Sequence, residues 1–364
     1  MTAEEALKKA YGKERKERNV NGILNIYKPQ EMTSHDVIAI VRRASGIKKT
    51  GHTGTLDPMA TGVLPVCMGS ATRIMEYLDA DIKEYGCTMR LGLVSDTNDI
   101  WGQVSDGKDP DHITDDQIRK AVEKYRGRIS QVPPVYSALK VDGRKLYQYA
   151  RSGQDVDIRA REIFIDSIVT EEISRSGNTE TAGRHTEDDD GKVEVSFNVR
   201  CSKGTYIRSL CRDIGDDLGC GAVMSRLERK GSGIFRAEEA VDIEKIRNME
   251  PEDIEKLLIP TDRALSHFGK GLIREGRVKA FLNGLDVYAK DVKTERQPTF
   301  SEEDLPFYAD GRYARAFCLY GVPEKGLKTA EAGTEPEFLG VAMYDKETDS
   351  FRPDKIFFKG EMEK

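Results

Sequence analysis

The period of the apolar positions changes along the chain, and the changes mark the elements. Residues 1–20 are charged and weakly patterned and read as an N-terminal extension, a frayed helix or tail. Ile23 to Tyr27 then forms a short strand stopped by Lys28-Pro29. Thr33 with Asp36 makes a capping box for a helix whose apolar face is Val37, Val41 and Ala44, closed by Gly46. Val63 to Met68 reads as a buried strand and Ser70 to Leu78 as a helix. Residues 83–91 alternate, so Tyr85, Cys87, Met89 and Leu91 share one strand face and Tyr85 points inward. Thr114 caps a helix bearing Ile118, Val122 and Tyr125, and Pro133-Pro134 ends the segment that follows. Residues 156–170 and 193–200 read as strands; between them, residues 174–192 have almost no apolar content and are expected to form a disordered surface insert. Helix 205–218 buries Ile207, Leu210, Cys211, Ile214 and Leu218. Tyr206, Arg208 and Arg212 lie off that stripe, the two arginines one turn apart and free to meet a ligand.

Strands mixed with irregularly placed helices do not give the regular alternation of a doubly wound sheet, so the predicted class is α+β. From about Leu265 the pattern changes. Short apolar runs such as Arg315 to Tyr320 and Phe338 to Tyr344, separated by Gly, Pro and acidic turns, predict a small β-rich C-terminal domain.

One stretch fits neither period. Gly51 to Pro65, GHTGTLDPMATGVLP, reads as an irregular loop. Pro58 disfavours helical geometry at Asp57, and Gly51, Gly54 and Gly62 allow turns that a Cβ would resist. A carboxylate held rigidly among backbone donors makes Asp57 the leading candidate for chemistry; an Asp that merely makes a turn is the plain alternative.

The chain has 364 residues, room for one large core and a second, smaller domain. It has no run of about eighteen apolar residues and starts polar and charged, so a soluble cytoplasmic protein without membrane span or signal peptide is expected. The six cysteines lack CxxC spacing and the five histidines are scattered, which predicts core thiols and no metal site. A net charge of −6 argues against a nucleic-acid binder until it is located. Residues 171–190 and 237–257 each supply −5, whereas residues 200–236 hold eight basic against four acidic groups. Arg42, Arg43, Lys48 and Lys49 crowd the approach to Asp57. That local positive charge is the footprint a polyanion needs.

Four pieces follow one another in order: Lys28-Pro29, GHTGTLDP at 51–58, KEY at 83–85 and SKGTYIRSL at 202–210. Together, from about Asn21 to Arg263, they resemble the TruB family of tRNA pseudouridine synthases, which convert a uridine in the T-loop (position 55) of tRNA to pseudouridine. Thr55-Leu56-Asp57 is the TruB-like form of a catalytic stretch that other pseudouridine synthases carry as Arg-Leu-Asp. Guide-RNA-directed relatives of the dyskerin type share the form, and the continuation Met59 to Pro65 looks bacterial and stand-alone. The resemblance implies a pseudouridine synthase fold over residues 21–263, a central mixed, mainly antiparallel sheet flanked by helices and loops. It implies a PUA-like RNA-binding domain over residues 264–364, carried by Phe338-Leu339-Gly340-Val341-Ala342 and Arg352-Pro353-Asp354-Lys355. A tRNA T-stem-loop as partner, no cofactor, no protein partner and a monomer are implied as well.

By the same resemblance Asp57 is the catalytic nucleophile or base; the sequence leaves open which. Arg208 is its partner, since an opposite charge favours the ionised carboxylate. Tyr85 stacks on the base and helps to take the C5 proton, against the plain role of an inward core aromatic. His52 fills the space left by the flipped base, Lys28 and Tyr206 line the pocket, and Leu227 lies beneath the base; a structural histidine and a core leucine would look alike. A tRNA-binding or folding protein with little or no catalysis is the alternative, and it would be signalled by loss of Asp57 or Arg208. Both are present. A nucleotide-dependent enzyme using the glycine-rich loop would need the GxxxxGK[ST] spacing, which is lacking.

Overall fold

The computed structural model describes residues 20–80, 82–175, 193–303, 311–322 and 335–357. The strands run in chain order as β1 (Gly22–Lys28), β2 (Thr50–His52), β3 (Thr61–Met68), β4 (Lys83–Leu91), β5 (Leu93–Ser95), β6 (Val104–Asp106), β7 (Gly127–Gln131), β8 (Lys140–Val141), β9 (Arg144–Lys145), β10 (Arg161–Arg175), β11 (Val193–Cys201) and β12 (Ala222–Ser232). Then come β13 (Phe235–Arg236), β14 (Val241–Asp242), β15 (Gly269–Ile273), β16 (Val287–Tyr288), β17 (Val292–Arg296), β18 (Ala316–Gly321), β19 (Glu337–Asp345) and β20 (Ser350–Ile356). The first sheet has the order β14-β1-β3-β12-β4-β11-β10-β7, with β2 added to β3 and β13 to β12. Among the described strands of this sheet only the β1–β14 and β3–β12 contacts are parallel, so it is mixed and mainly antiparallel, as the family resemblance implied. The class is α+β.

Alternation along β1 and β3 explains why both faces of this sheet are covered. Leu24 and Ile26, with Leu64, Val66 and Met68, enter a core shared with helices Ser34–Ser45 and Ile207–Leu218. Ile23, Val63 and Cys67 point the other way, into a core completed by Tyr77, Phe268 and Tyr313. That second core joins the first sheet to a second one, of order β16-β20-β19-β18-β15-β17, the β-rich region expected from the sequence. Polar contacts fix the junction: Glu76 takes Arg312 and Lys355 at 2.9 Å each, and the Tyr313 hydroxyl donates to the Tyr77 carbonyl at 2.6 Å. The second sheet is thereby tied to helix Met75–Ala80.

Local signals hold well. Thr33 and Asp36 form the reciprocal capping box and Gly46 closes the helix in the left-handed conformation. Thr114 forms another with Gln117. Tertiary partners shift other boundaries. The expected helix from Ser70 is a 3-10 turn, Gly69–Ile74, before helix Met75–Ala80, with the Thr72 hydroxyl bonded to the Gly69 carbonyl at 2.8 Å. Helix 205–218 starts at Ile207, with Tyr206 as its N-cap and Leu218 only half-buried. The strand expected over residues 156–170 is Arg161–Arg175; Arg175 pairs with Val193 and binds the Ile113 carbonyl at 2.7 Å, so residues 174 and 175 are strand rather than insert. The rest of the insert, 176–192, and residues 1–19 lie outside the described residues. No described helix is long and apolar enough to cross a membrane.

Candidate active site

The stretch around Asp57 is irregular only from Thr53 to Ala60. Gly51 belongs to β2 and pairs with Cys67, while Val63 and Pro65 pair with β1, so the loop is clamped between two strands at its ends. Its interior is held by backbone and side-chain bonds from the turn after β1. Ser34 Oγ donates to the Leu56 carbonyl at 3.1 Å and accepts from the Leu56 amide at 3.0 Å. The Glu31 amide donates to the Pro58 carbonyl at 2.9 Å, and the Ala60 amide closes a turn on the Asp57 carbonyl at 3.0 Å. Gly62 has φ +105° where β3 meets β12, and a Cβ there would lie 2.2 Å from the Arg229 carbonyl oxygen. Only glycine fits that position. The sequence therefore delivers a fixed carboxylate.

Arg208, the second residue of helix Ile207–Leu218, meets it. Its Nε lies 2.9 Å from Asp57 Oδ2, with side-chain exposures of 6% and 39%. The rest of the fork is occupied: Nη1 donates to the Thr97 carbonyl at 3.1 Å and lies 3.6 Å from Asp99 Oδ2, and Nη2 donates to the Tyr136 carbonyl at 3.0 Å. Burial raises the Asp99 carboxyl above its ordinary range, against the Thr97 hydrogen bond and the Arg208 charge. Neither helix arginine is a free arm for a ligand, contrary to expectation. Arg208 is gripped by carbonyls, and Arg212 is paired with Asp213 at 2.6 Å.

A cavity of about 870 Å³ opens over this pair, lined by Asp57, His52, Tyr85, Tyr206, Arg208 and Leu227. Six of the seven residues expected at the site therefore share one cavity. Leu227 pairs with Cys87 and Arg229 with Tyr85 across β12 and β4, which puts the leucine and the tyrosine on adjacent strands. His52 stands at the edge of the His35 ring, 5.6 Å between centroids. Burial raises the Tyr85 phenol, with the Arg229 guanidinium opposing, so the phenol is neutral near pH 7.

Lys28 is the exception. It shares the strand parity of Leu24 and Ile26, points into the protein with 0% exposure, and lies under the loop rather than on the cavity wall. Its ammonium donates to the Pro29 and Met32 carbonyls at 2.7 Å each. Desolvation lowers it to about 8, with the Asp57 charge opposing.

Sequence reasoning missed three residues and one segment. Arg229, 1% exposed, donates to the Val63 carbonyl at 2.6 Å and the Gly54 carbonyl at 3.1 Å. Two-residue spacing from Leu227 was its signal. Asp99 and Gln131 gave none. The segment runs from Tyr136 through the hairpin β8–β9 and the helix Leu146–Arg151 after it, and from it Tyr136, Leu139, Tyr147 and Arg151 line the cavity. Arg144 lies over the Tyr149 ring at 4.7 Å and Arg151 over Tyr147 at 5.4 Å. Tyrosines interleaved with Lys140, Arg144, Lys145 and Arg151 are the kind of basic and aromatic pattern that the sequence could have offered as a signal. Among the described residues no group of His, Cys, Asp and Glu could hold a metal ion, and the six cysteines are buried thiols.

Comparison with known proteins gives a consistent picture. The model of the TruB family pseudouridylate synthase N-terminal domain matches residues 42–207, and that of the tRNA pseudouridylate synthase B C-terminal domain matches residues 208–266. The tRNA pseudouridine synthase B of Clostridium perfringens is 45% identical over 276 residues, 76% of this chain and 87% of that protein. The one from Pelotomaculum thermopropionicum is 37% identical over 342 residues, 93% of this chain and 96% of that protein. Among solved structures, the archaeal box H/ACA sRNP Nop10–Cbf5 complex matches with a TM-score of 0.60 at 24% identity, over 93% of this chain and 86% of that one, a likeness of fold.

Proposed function

The chain belongs to the TruB family of tRNA pseudouridine synthases, and on that premise we propose that it isomerises the uridine at position 55, in the T-loop of tRNA, to pseudouridine. The observation that carries this is the Arg208–Asp57 ion pair at 2.9 Å beneath a cavity walled by an aromatic and an apolar side chain. The target base leaves its stack, which costs a few kcal/mol. Stacking against Tyr85 over Leu227 returns about 1–3 kcal/mol, and His52 occupies the space vacated in the loop. The basic and aromatic hairpin β8–β9 and Tyr206 hold the surrounding backbone, with the sheet of residues 264–364 as a second RNA-binding surface. Residues 21–263 form the catalytic domain.

Asp57, paired with Arg208, acts on the sugar, either attacking it or assisting loss of its 2′ proton. The N1–C1′ bond breaks, the uracil rotates, and a C5–C1′ bond forms. The C5 proton then leaves to a base and N1 regains one, so the product is an isomer and no cofactor enters the balance. A neutral Tyr85 phenol supports the stacking role; as the C5 base it would first have to lose its own proton. Lys28 contributes from below, its ammonium bonded to the Pro29 and Met32 carbonyls of the turn after β1 and 3.5 Å from the Pro58 carbonyl of the loop. As the family resemblance implies, the enzyme works as a monomer on preformed tRNA in the cytoplasm.

Mapping modified uridines in tRNA transcripts tests the specificity. One modification at position 55, absent from a transcript with cytidine there, is expected. Modification at another uridine, or none, contradicts the T-loop assignment.

A further inference from the structure

Gln131 ends β7 immediately before Val132-Pro133-Pro134, the start of the segment that walls one side of the cavity, and it is 1% exposed. Its amide is spent on one target. Nε2 donates to the Tyr206 carbonyl at 3.1 Å, and Oε1 accepts from the Tyr206 amide at 2.9 Å. A side chain here completes a two-bond ladder rung with the backbone of the N-cap of helix Ile207–Leu218, two residues before Arg208. The next residue repeats the attachment: the Val132 carbonyl accepts from Ser209 Oγ at 2.9 Å. Four residues further on, the Tyr136 carbonyl accepts from Arg208 itself at 3.0 Å. Residues 131–136 are therefore stitched along the first turn of the helix that carries the arginine. We infer that Gln131 is a positioning residue which sets the height of Arg208 against Asp57, and that it ties the hairpin wall to that ion pair.

The chemistry of the contact is specific. The Tyr206 carbonyl already accepts the Leu210 amide at 3.0 Å and takes Gln131 as a second donor, whereas the Tyr206 N–H, outside the helix ladder, has Gln131 Oε1 as its acceptor. Glutamine serves both groups at once; methionine, of similar length, serves neither and leaves the N–H without this acceptor, and glutamate keeps the acceptor but meets the Tyr206 carbonyl with a second oxygen. Loss of the rung lets the helix start shift, and shifts of about 1 Å at a catalytic group cost on the order of 100-fold in rate.

This inference rests on the proposed isomerase reading, and the test separates the two. Single-turnover isomerisation, tRNA affinity and hydrogen exchange at the Tyr206 amide are measured for wild type, Gln131→Met and Gln131→Glu, and for Gln131→Met in an Arg208→Lys background. Gln131→Met is expected to slow isomerisation about 10- to 100-fold with affinity within about threefold, and Gln131→Glu to fall between it and wild type. In the Arg208→Lys background the same change is expected to cost less than about threefold, since the arginine it positions is gone. Exchange at Tyr206 should quicken about tenfold or more. A full multiplicative loss in that background, a loss confined to affinity, or unchanged exchange at Tyr206 overturns the assignment. Wild type that isomerises no uridine defeats the isomerase reading instead, and the exchange measurement then decides the Gln131 contact alone.

Discussion

Replacing Arg208 with lysine keeps the charge and removes the fork. The native guanidinium satisfies Asp57 at 2.9 Å, the Thr97 carbonyl at 3.1 Å and the Tyr136 carbonyl at 3.0 Å simultaneously, with Asp99 at 3.6 Å. A lysine ammonium is a point donor and cannot span those partners. Two unit charges at about 4 Å attract by about 4 kcal/mol at an effective dielectric of about 20. Asp57 is 39% exposed, so solvent screening brings this to roughly 2 kcal/mol, of which a displaced ammonium retains about half. Misplacement of the carboxylate by about 1 Å adds on the order of two decades in rate. Turnover of Arg208→Lys should therefore fall about 100- to 1000-fold, while affinity for tRNA stays within about threefold because the arginine, although it lines the cavity, is only 5% exposed and is bound to protein groups. Single-turnover release of a C5 label and filter binding give the two quantities. A rate within threefold of wild type refutes the idea that Arg208 holds Asp57. A matching loss of affinity would make it a substrate contact.

The buried Lys28 predicts a pH effect: its folded value near 8 lies below its unfolded value, so the folded state binds fewer protons between about pH 8 and 10. Wild type should gain stability relative to Lys28→Met over that window, by about 1 kcal/mol per pH unit in urea titrations, and a pH-independent difference would contradict the burial penalty. Phe268→Ala removes a ring with 0% exposure, 5.2 Å from the Tyr77 ring and 5.4 Å from that of Tyr313, in the core joining the two sheets. It should cost about 3–5 kcal/mol in denaturant melts, and a loss below about 1 kcal/mol would mean the sheets are not joined there. Since Arg175 and Val193 are already paired, replacing residues 176–192 with a two-residue turn should leave isomerisation within about twofold, and an inactive variant would give the insert a function.

What was legible in the sequence was mostly local. Thr33 with Asp36 and Gly46 bracketed a helix because each cap is made within a few residues of itself. Alternation over residues 83–91 placed Tyr85 beside Cys87 and Met89 because strand parity is a property of the backbone. The ordered motifs brought Asp57 and Arg208 together although the fold had to bridge a long separation. What was not legible depended on remote carbonyls. Lys28 and Arg229 look like surface cations until Pro29, Met32, Val63 and Gly54 are seen to accept from them. Asp99 and Gln131 are polar residues in unremarkable contexts whose partners, Arg208 and Tyr206, lie on another element. Strand ends failed likewise: Arg175 continues β10 because Val193 pairs with it and Ile113 accepts from it.

The central claim is that the Asp57 carboxylate moves a uracil from N1 to C5 without outside help. Its most direct test is tritium release from tRNA transcripts labelled at uridine C5, wild type beside Asp57→Asn, with no metal or nucleotide added. The account predicts release of about one label per tRNA by wild type and none by Asp57→Asn, with both proteins binding tRNA within a few-fold of each other. Equal release by the two proteins, or none by a wild type that still shifts tRNA in a gel, would contradict it.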